Sequence, residues 1–417
     1  MEIWHVRETK RLEGACFVQG SKNASLPILA ACIIRPVRVE LKNVPQLRDV
    51  DAALRILRHL GCLAEQRGNE VYIDSTGLTR STIPHALMEE MRSSVIFMGA
   101  LIARCGEAQL SLPGGCQLGK RPIDLHLSAL RQMGAQIEED RGEICCGSAR
   151  LRGCRIVLPF PSVGATENAM LAACAAEGET VIEGAAREPE ILALQDFLCA
   201  MGASVSGAGS NTICISGMEK REALSWRIVP DRIVAATIAC AAAATGGDIE
   251  LRGIDPQQFS TVLYFLNQSG CDIIHGKRSV RLLSSGRLRA VGEVMTAPFP
   301  GFPTDAQPVL MAAMLKARGE TRITETIFEN RYRQAPELCR LGADITVNGR
   351  VAEIWGVERL HGAALTATDL RGGAAMIIAG LCAEGETLVC DEGHITRGYE
   401  GLDRRLRALG ADIFLEY

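Results

Sequence analysis

The chain has 417 residues, a formal net charge of −4, 47% hydrophobic residues and 23% charged ones. At roughly 150 residues per domain this is a globular protein of two to three domains, and it excludes a disordered or collagen-like chain, whose apolar content could not offset the entropy of ordering. The near-neutral balance also argues against a nucleic-acid partner, which needs a strongly basic face.

The N-terminus, Met1-Glu2-Ile3-Trp4-His5, has no basic stretch leading into an apolar run, so no secretory signal is expected. The longest apolar run, Ile233 to Ala244, is shorter than the about 20 residues of a spanning helix. No membrane insertion and a cytoplasmic location follow as expectations. The sixteen cysteines would then be reduced, most of them small buried apolar side chains. None forms a C-x-x-C pair, and adjacent Cys145 and Cys146 suit a disulfide poorly. The seven histidines are dispersed, so no metal site is expected.

Gly20-Ser21-Lys22-Asn23-Ala24-Ser25 places a lysine at a turn before an apolar helix, where a helix N-terminus can meet an anion. Most lysines are simply solvated, so this segment alone decides little. From Leu57 onward one phrase recurs: an apolar helix ending in glycine, a small residue, then a strand-like run. Its glycines are Gly61, Gly134, Gly202, Gly270, Gly342 and Gly410, spaced 73, 68, 68, 72 and 68 residues apart. Each fits a helix C′ position, where a left-handed backbone carries no Cβ penalty. A second phrase interleaves with it: a helix of small residues, a polar turn and a β-prone strand, as at Ala169–Ala176 with Glu177 to Ile182 and at Ala375–Ala383 with Glu384 to Val389. Helices with little polar face are expected to be buried on most sides. Six units of about 70 residues, each too small to bury its own core, predict two domains of three units. A long stacked solenoid is the alternative, although these units exceed the usual solenoid repeat.

Three features could carry chemistry. Leu112-Pro113-Gly114-Gly115-Cys116-Gln117-Leu118-Gly119-Lys120-Arg121-Pro122 reads as an exposed loop around one cysteine, with Lys120 and Arg121 placed to favour the thiolate. It misses a P-loop because Arg121 stands where Ser or Thr should bind magnesium. Phe302-Pro303-Thr304-Asp305 and Thr368-Asp369-Leu370-Arg371 each put a carboxylate before a helix of small residues; helix N-capping is the plain reading of both. Glu329-Asn330-Arg331-Tyr332 and His394-Ile395-Thr396-Arg397-Gly398-Tyr399 set arginines among aromatic and polar groups.

From about Gly20 to Ala411 these motifs, in order, resemble the UDP-N-acetylglucosamine 1-carboxyvinyltransferases, enolpyruvyl transferases of peptidoglycan synthesis. The likeness rests on Lys22-Asn23-Ala24, Pro113-Gly114-Gly115-Cys116, Arg121 to His126, Ser162-Val163-Gly164-Ala165-Thr166 and Ala186-Arg187-Glu188-Pro189-Glu190. Further matches are Pro230-Asp231-Arg232, Phe302 to Asp305, Glu325 to Arg331, Ala367 to Arg371 and Arg397-Gly398-Tyr399-Glu400. The resemblance implies a two-domain inside-out α/β barrel of six βαβαββ-like units, three per domain. One domain would span 22–229 and carry the Cys116 loop; the other would hold 1–21 and 230–417, with the active site in the cleft between them. The implied substrates are phosphoenolpyruvate and UDP-N-acetylglucosamine, with no metal or organic cofactor.

The resemblance gives Cys116 the role of proton donor, Asp305 that of base and Asp369 a positioning role. Lys22, Arg92, Arg121, Arg331, Arg371 and Arg397 would offset the substrates' charge. Lys22 and Asn23 would meet phosphoenolpyruvate. Arg121, Pro122, Ile123, Asp124, Leu125, Ser162, Val163, Gly164, Asp305 and Ile327 would contact the UDP-sugar. Cys116 would also be the target of the epoxide fosfomycin. Several positions depart from the family pattern: Phe160-Pro161 near a frequent lysine, Thr396 for an aspartate, Gly372-Gly373 for a small-residue pair, Arg333-Gln334 for Met-His, and Ala193 for an aspartate. They suggest a divergent member or second isozyme. The alternatives are a catalytically silent UDP-sugar-binding paralogue and 5-enolpyruvylshikimate-3-phosphate synthase, whose family lacks the cysteine loop.

Overall fold

A computed structural model describes residues 1–111, 123–140, 142–148, 150–219, 222–284 and 286–417. Its repeating element is visible in the third unit. Strand Arg155–Val157 runs parallel to Glu179–Glu183, which pairs antiparallel with Thr212–Met218, itself hairpinned to Ala203–Ser206. Helix Val163–Ala173 joins the two parallel strands, and helix Pro189–Ala200 leads into the hairpin. This βαβαββ order recurs in six four-stranded sheets.

The chain divides into two units, one of Gly20–Val229 and one of Met1–Gln19 with Pro230–Tyr417. Each contains three sheets, and each closes on itself with strands distant in sequence. In the first, Ala223–Arg227 supplies the parallel edge of the sheet begun by Arg38–Lys42. In the second, Glu13–Phe17 pairs with Asp248–Arg252, and the N-terminal strand Glu2–Arg7 lies between Glu386–Asp391 and Ile413–Glu416. The N-terminus thus completes the sixth repeat.

Six inner helices fill the two units: Lys22–Ala31, Phe97–Cys105 and Val163–Ala173 in one, and Arg232–Ala244, Gln307–Met314 and Leu370–Leu381 in the other. Most residues of each are buried, as their small apolar composition predicts. Each unit has its own apolar core. The outer helices are amphipathic; Arg48–His59 buries Val50, Ala53, Leu54 and Leu57 while its arginines stay outside. All six repeat glycines have positive φ, between 90° and 106°, so the C′ assignment holds at every copy. The solenoid alternative is excluded by the closed sheet pairings at both unit ends.

The described cysteines are all free thiols, and eight of them are buried. Cys145 and Cys146 lie on one strand, the first exposed and the second buried. Successive strand side chains face opposite ways, which is why the adjacent pair stays unbridged. Among the described residues, no helix is long and apolar enough to cross a membrane.

Candidate active site

In the Gly20–Val229 unit, Ser21 caps the first inner helix; its Oγ accepts from Ala24 N at 3.2 Å. Lys22 opens that helix and sends its Nζ to 2.7 Å from Asp49 Oδ2, with both side chains largely withdrawn from solvent. Asn23 follows, half-buried. Gly20 admits no larger residue, because a Cβ would overlap the Asn43 carbonyl. Ile123, Asp124 and Leu125 form the entry to helix Asp124–Gln132. Ser162 caps the third inner helix, Val163 and Gly164 make its first turn, and Ser162 O accepts from Thr166 Oγ1 at 2.8 Å. Arg92 begins the 3₁₀ turn Arg92–Ile96. Its side chain, and Cys116, Arg121 and Pro122 altogether, lie outside the described residues.

In the other unit, Asp305 sits in a 3₁₀ turn, Thr304–Ala306, before the helix Gln307–Met314. The N-cap expectation fails here, because its carboxylate turns to guanidinium groups instead of the helix N–H groups. Oδ1 accepts from Arg331 Nη2 at 3.0 Å, and Oδ2 from Arg371 Nε and Nη2 at 3.3 and 3.2 Å. Both arginine side chains are only 2% exposed. Arg331 also donates twice to the Thr304 carbonyl, so one fork fixes the turn and the carboxylate on it. Asp369 is the helix N-cap predicted for it: Oδ1 accepts from Arg371 N and Gly372 N, each at 3.0 Å. The cap therefore orients the residue that carries the second guanidinium.

That guanidinium lies over the Tyr399 ring, 5.2 Å from its centroid. Thr237 donates its hydroxyl to Ile233 O at 2.8 Å, so the Tyr399 phenol donates to Thr237 Oγ1 at 3.0 Å. Burial opposes charge on Arg371, but Tyr399, Asp305 and Asp231 more than offset it and raise its pKa. Burial also raises Tyr399 and keeps the phenol protonated. Ile327 is placed by buried Glu325, whose Oε1 accepts from Ile327 N at 2.7 Å while Oε2 accepts from Thr304 Oγ1 at 2.9 Å. Arg397 ends the short 3₁₀ turn Ile395–Arg397. The turn begins where Asp391 takes His394 N and Ile395 N.

The structure thus gathers Arg331 and Arg371 around the Asp305 carboxylate, with Asp369 capping the helix that carries Arg371, and pairs Lys22 with a residue the motifs did not name. Asp49, Glu325, Thr237 and Tyr399 escaped sequence reasoning as site residues. Asp49 had only a weak signal, an acidic start to an amphipathic helix; Glu325 and Tyr399 lay inside quoted motifs without a role. The Gly372-Gly373 departure is not loose in space. A Cβ on Gly372 would sit 2.8 Å from Asp369 Oδ2, and one on Gly373 2.5 Å from Ile395 Cγ1.

Residues 6–406 match the family model of EPSP synthase, 3-phosphoshikimate 1-carboxyvinyltransferase. The chain is 48% identical over 404 residues to UDP-N-acetylglucosamine 1-carboxyvinyltransferase 2 of Caldanaerobacter subterraneus, covering 97% of each. It is 45% identical over 410 residues to UDP-N-acetylglucosamine 1-carboxyvinyltransferase of Magnetococcus marinus, covering 98% of each. The chain belongs to the UDP-N-acetylglucosamine 1-carboxyvinyltransferase family. Within the wider enolpyruvyl transferase fold, this family member superposes on the enolpyruvyl transferase NikO of Streptomyces tendae with a TM-score of 0.89 at 25% identity, over 99% of this chain and 98% of that one. EPSP synthase of Acinetobacter baumannii shares the fold at a TM-score of 0.76 and 22% identity, over the whole of both chains. The inside-out barrel of six repeats expected from the sequence is therefore the fold of this UDP-N-acetylglucosamine 1-carboxyvinyltransferase family member.

Proposed function

We propose that the protein transfers the enolpyruvyl group of phosphoenolpyruvate to the 3-hydroxyl of UDP-N-acetylglucosamine and releases phosphate, the first committed step of peptidoglycan synthesis, in the cytoplasm. The observation that carries this reading is the Asp305 carboxylate gripped by two buried guanidinium groups in a chain of this family. Such forks match carboxylate and phosphate oxygens, and an anionic substrate competes with Asp305 for the same N–H donors.

In the proposed reaction Cys116 gives a proton to the terminal carbon of phosphoenolpyruvate, which makes the central carbon electrophilic. The 3-hydroxyl oxygen bonds to that carbon while Asp305 takes its proton. The tetrahedral intermediate then loses a proton from the new methyl group and expels phosphate, which restores the double bond as an enol ether. Lys22, Arg92, Arg121, Arg331, Arg371 and Arg397 balance the charge of the phosphate, carboxylate and diphosphate; fixed cations of this kind act without reorganising during the reaction. Asn23 meets phosphoenolpyruvate beside Lys22. Ile123, Asp124, Leu125, Ser162, Val163, Gly164, Ile327 and the ring of Pro122 contact the UDP-sugar, and Asp369 holds Arg371 in place.

The test is phosphate release by purified protein with phosphoenolpyruvate and UDP-N-acetylglucosamine together, beside single omissions and Cys116→Ala. Release that requires both substrates and Cys116 is expected. Binding of the UDP-sugar without any release would reduce the protein to a silent binding paralogue.

A further inference from the structure

His126 is buried, and its ring is held by a side-chain hydrogen bond to Asn168. Gly99 N lies 2.7 Å from Asn168 Oδ1. A backbone N–H can only donate, so that atom is the amide oxygen and the other is the NH₂ group. The NH₂ group donates to Val95 O at 2.9 Å and meets His126 Nδ1 at 2.7 Å. Nδ1 is therefore an acceptor, and the imidazole proton belongs on Nε2. Burial holds the ring neutral, with its pKa lowered to about 4.

The protonated edge faces Gly164. A Cβ on Gly164 would stand 3.0 Å from His126 Cε1 and 3.2 Å from Nε2. Gly99 is more tightly constrained, since a Cβ there would lie 2.4 Å from Asn168 O and 2.6 Å from Asn168 Oδ1. Three stretches meet at this one amide–imidazole pair. They are the Arg92–Ile96 turn through Val95, the Ile123–Leu125 entry through His126, and the Ser162–Gly164 turn through its own helix.

We propose that Asn168 and His126 are positioning residues for the nucleotide-sugar: their hydrogen-bonded pair, packed against Gly164, sets the register of the two turns that contact the UDP-sugar. The inference rests on the function proposed above. It differs from a plain core contact because it requires one tautomer and a fixed donor edge beside the Ser162–Gly164 turn.

The test uses the full-length protein labelled with ¹⁵N-histidine, with His126→Gln to assign the signal. Wild type should show His126 as the Nε2–H tautomer, neutral at pH 6. Asn168→Asp cannot donate to Nδ1, and it should move the signal to the Nδ1–H or doubly protonated form. The same variant should weaken UDP-N-acetylglucosamine binding by calorimetry roughly tenfold, a change of about 1.4 kcal/mol, and leave the KM for phosphoenolpyruvate within about twofold, a shift near 0.4 kcal/mol. Gly164→Ala, which keeps all the hydrogen-bonding groups, should weaken the same affinity with an unchanged circular dichroism spectrum. An Nδ1–H signal in wild type overturns the proposal, as does wild-type affinity in both variants. Wild-type protein that binds no UDP-sugar overturns the proposed function itself, and the bracket's substrate role with it.

Discussion

Arg371 donates from Nε and Nη2 to Asp305 Oδ2 at 3.3 and 3.2 Å, across 66 residues of sequence. With Arg331 on the other oxygen, the carboxylate is the hub of a charge cluster whose cations are almost wholly buried. Asp305→Asn keeps the shape and removes the charge. It should retain UDP-N-acetylglucosamine binding and lower kcat roughly 100-fold or more, the scale of a lost general base. Steady-state kinetics beside calorimetry checks this, and a kcat within about threefold of wild type would remove Asp305 from the base role.

Labelling chemistry tests the cysteine loop. Cys116→Ala should abolish covalent modification by fosfomycin, read by peptide mass spectrometry. The eight buried thiols are poor competitors. Of the exposed ones, Cys105 and Cys339 are held above the usual thiol range by partial burial, which lowers their thiolate fraction. Modification at another cysteine while Cys116 stays free would falsify the assignment.

Two buried groups give opposite pH signatures. His126 has its folded pKa lowered to about 4 from 6.5. Between those values the unfolded chain binds the proton and the folded one does not, so stability is lost as pH falls from about 6.5 to 4. The full loss is on the order of 3 kcal/mol. Glu167 is raised well above 4.5 by burial and by Glu190 and Glu188. It contributes stability that is present below 4.5 and is lost as pH rises through its folded pKa. Glu167→Gln should therefore raise the melting temperature at pH 8 more than at pH 4.5. Equal shifts at both pH values would show that Glu167 is not buried as a neutral acid.

The N-terminal strand should matter more than its place at the chain end suggests. Trp4 is 1% exposed in the middle of the sixth sheet. Trp4→Ala should cost about 3–5 kcal/mol, the usual range for a large core aromatic, read as a fall in the urea midpoint. A loss under about 1 kcal/mol would mean that the strand frays in solution.

Much of the architecture was legible because it repeats. The glycine-terminated helix recurs where the backbone must turn left-handed, and small-residue helices recur where three helices share a core; both are local demands that leave local marks. The candidate site was legible in kind rather than in arrangement. Asp305 and Asp369 looked alike as carboxylates before helices, yet only Asp369 caps one. Asp305 is taken by two guanidinium groups instead, because three charge-assisted bonds exceed a single N-cap bond.

The repeats by themselves determined that this is a two-domain, six-unit chain of helices and strands, since periodicity and turn chemistry are written residue by residue; the enolpyruvyl transferase type came from the resemblance of its motifs to that family. Only the tertiary structure decided that Asp49 meets Lys22, that Glu325 ties Thr304 to Ile327, and that Asn168 sets the tautomer of His126. Apart from the local Glu325–Ile327 turn, these partners lie between 21 and 42 residues apart. Their pairing depends on where whole helices pack, and close packing places a side chain through the shape of its neighbours, which no local pattern encodes.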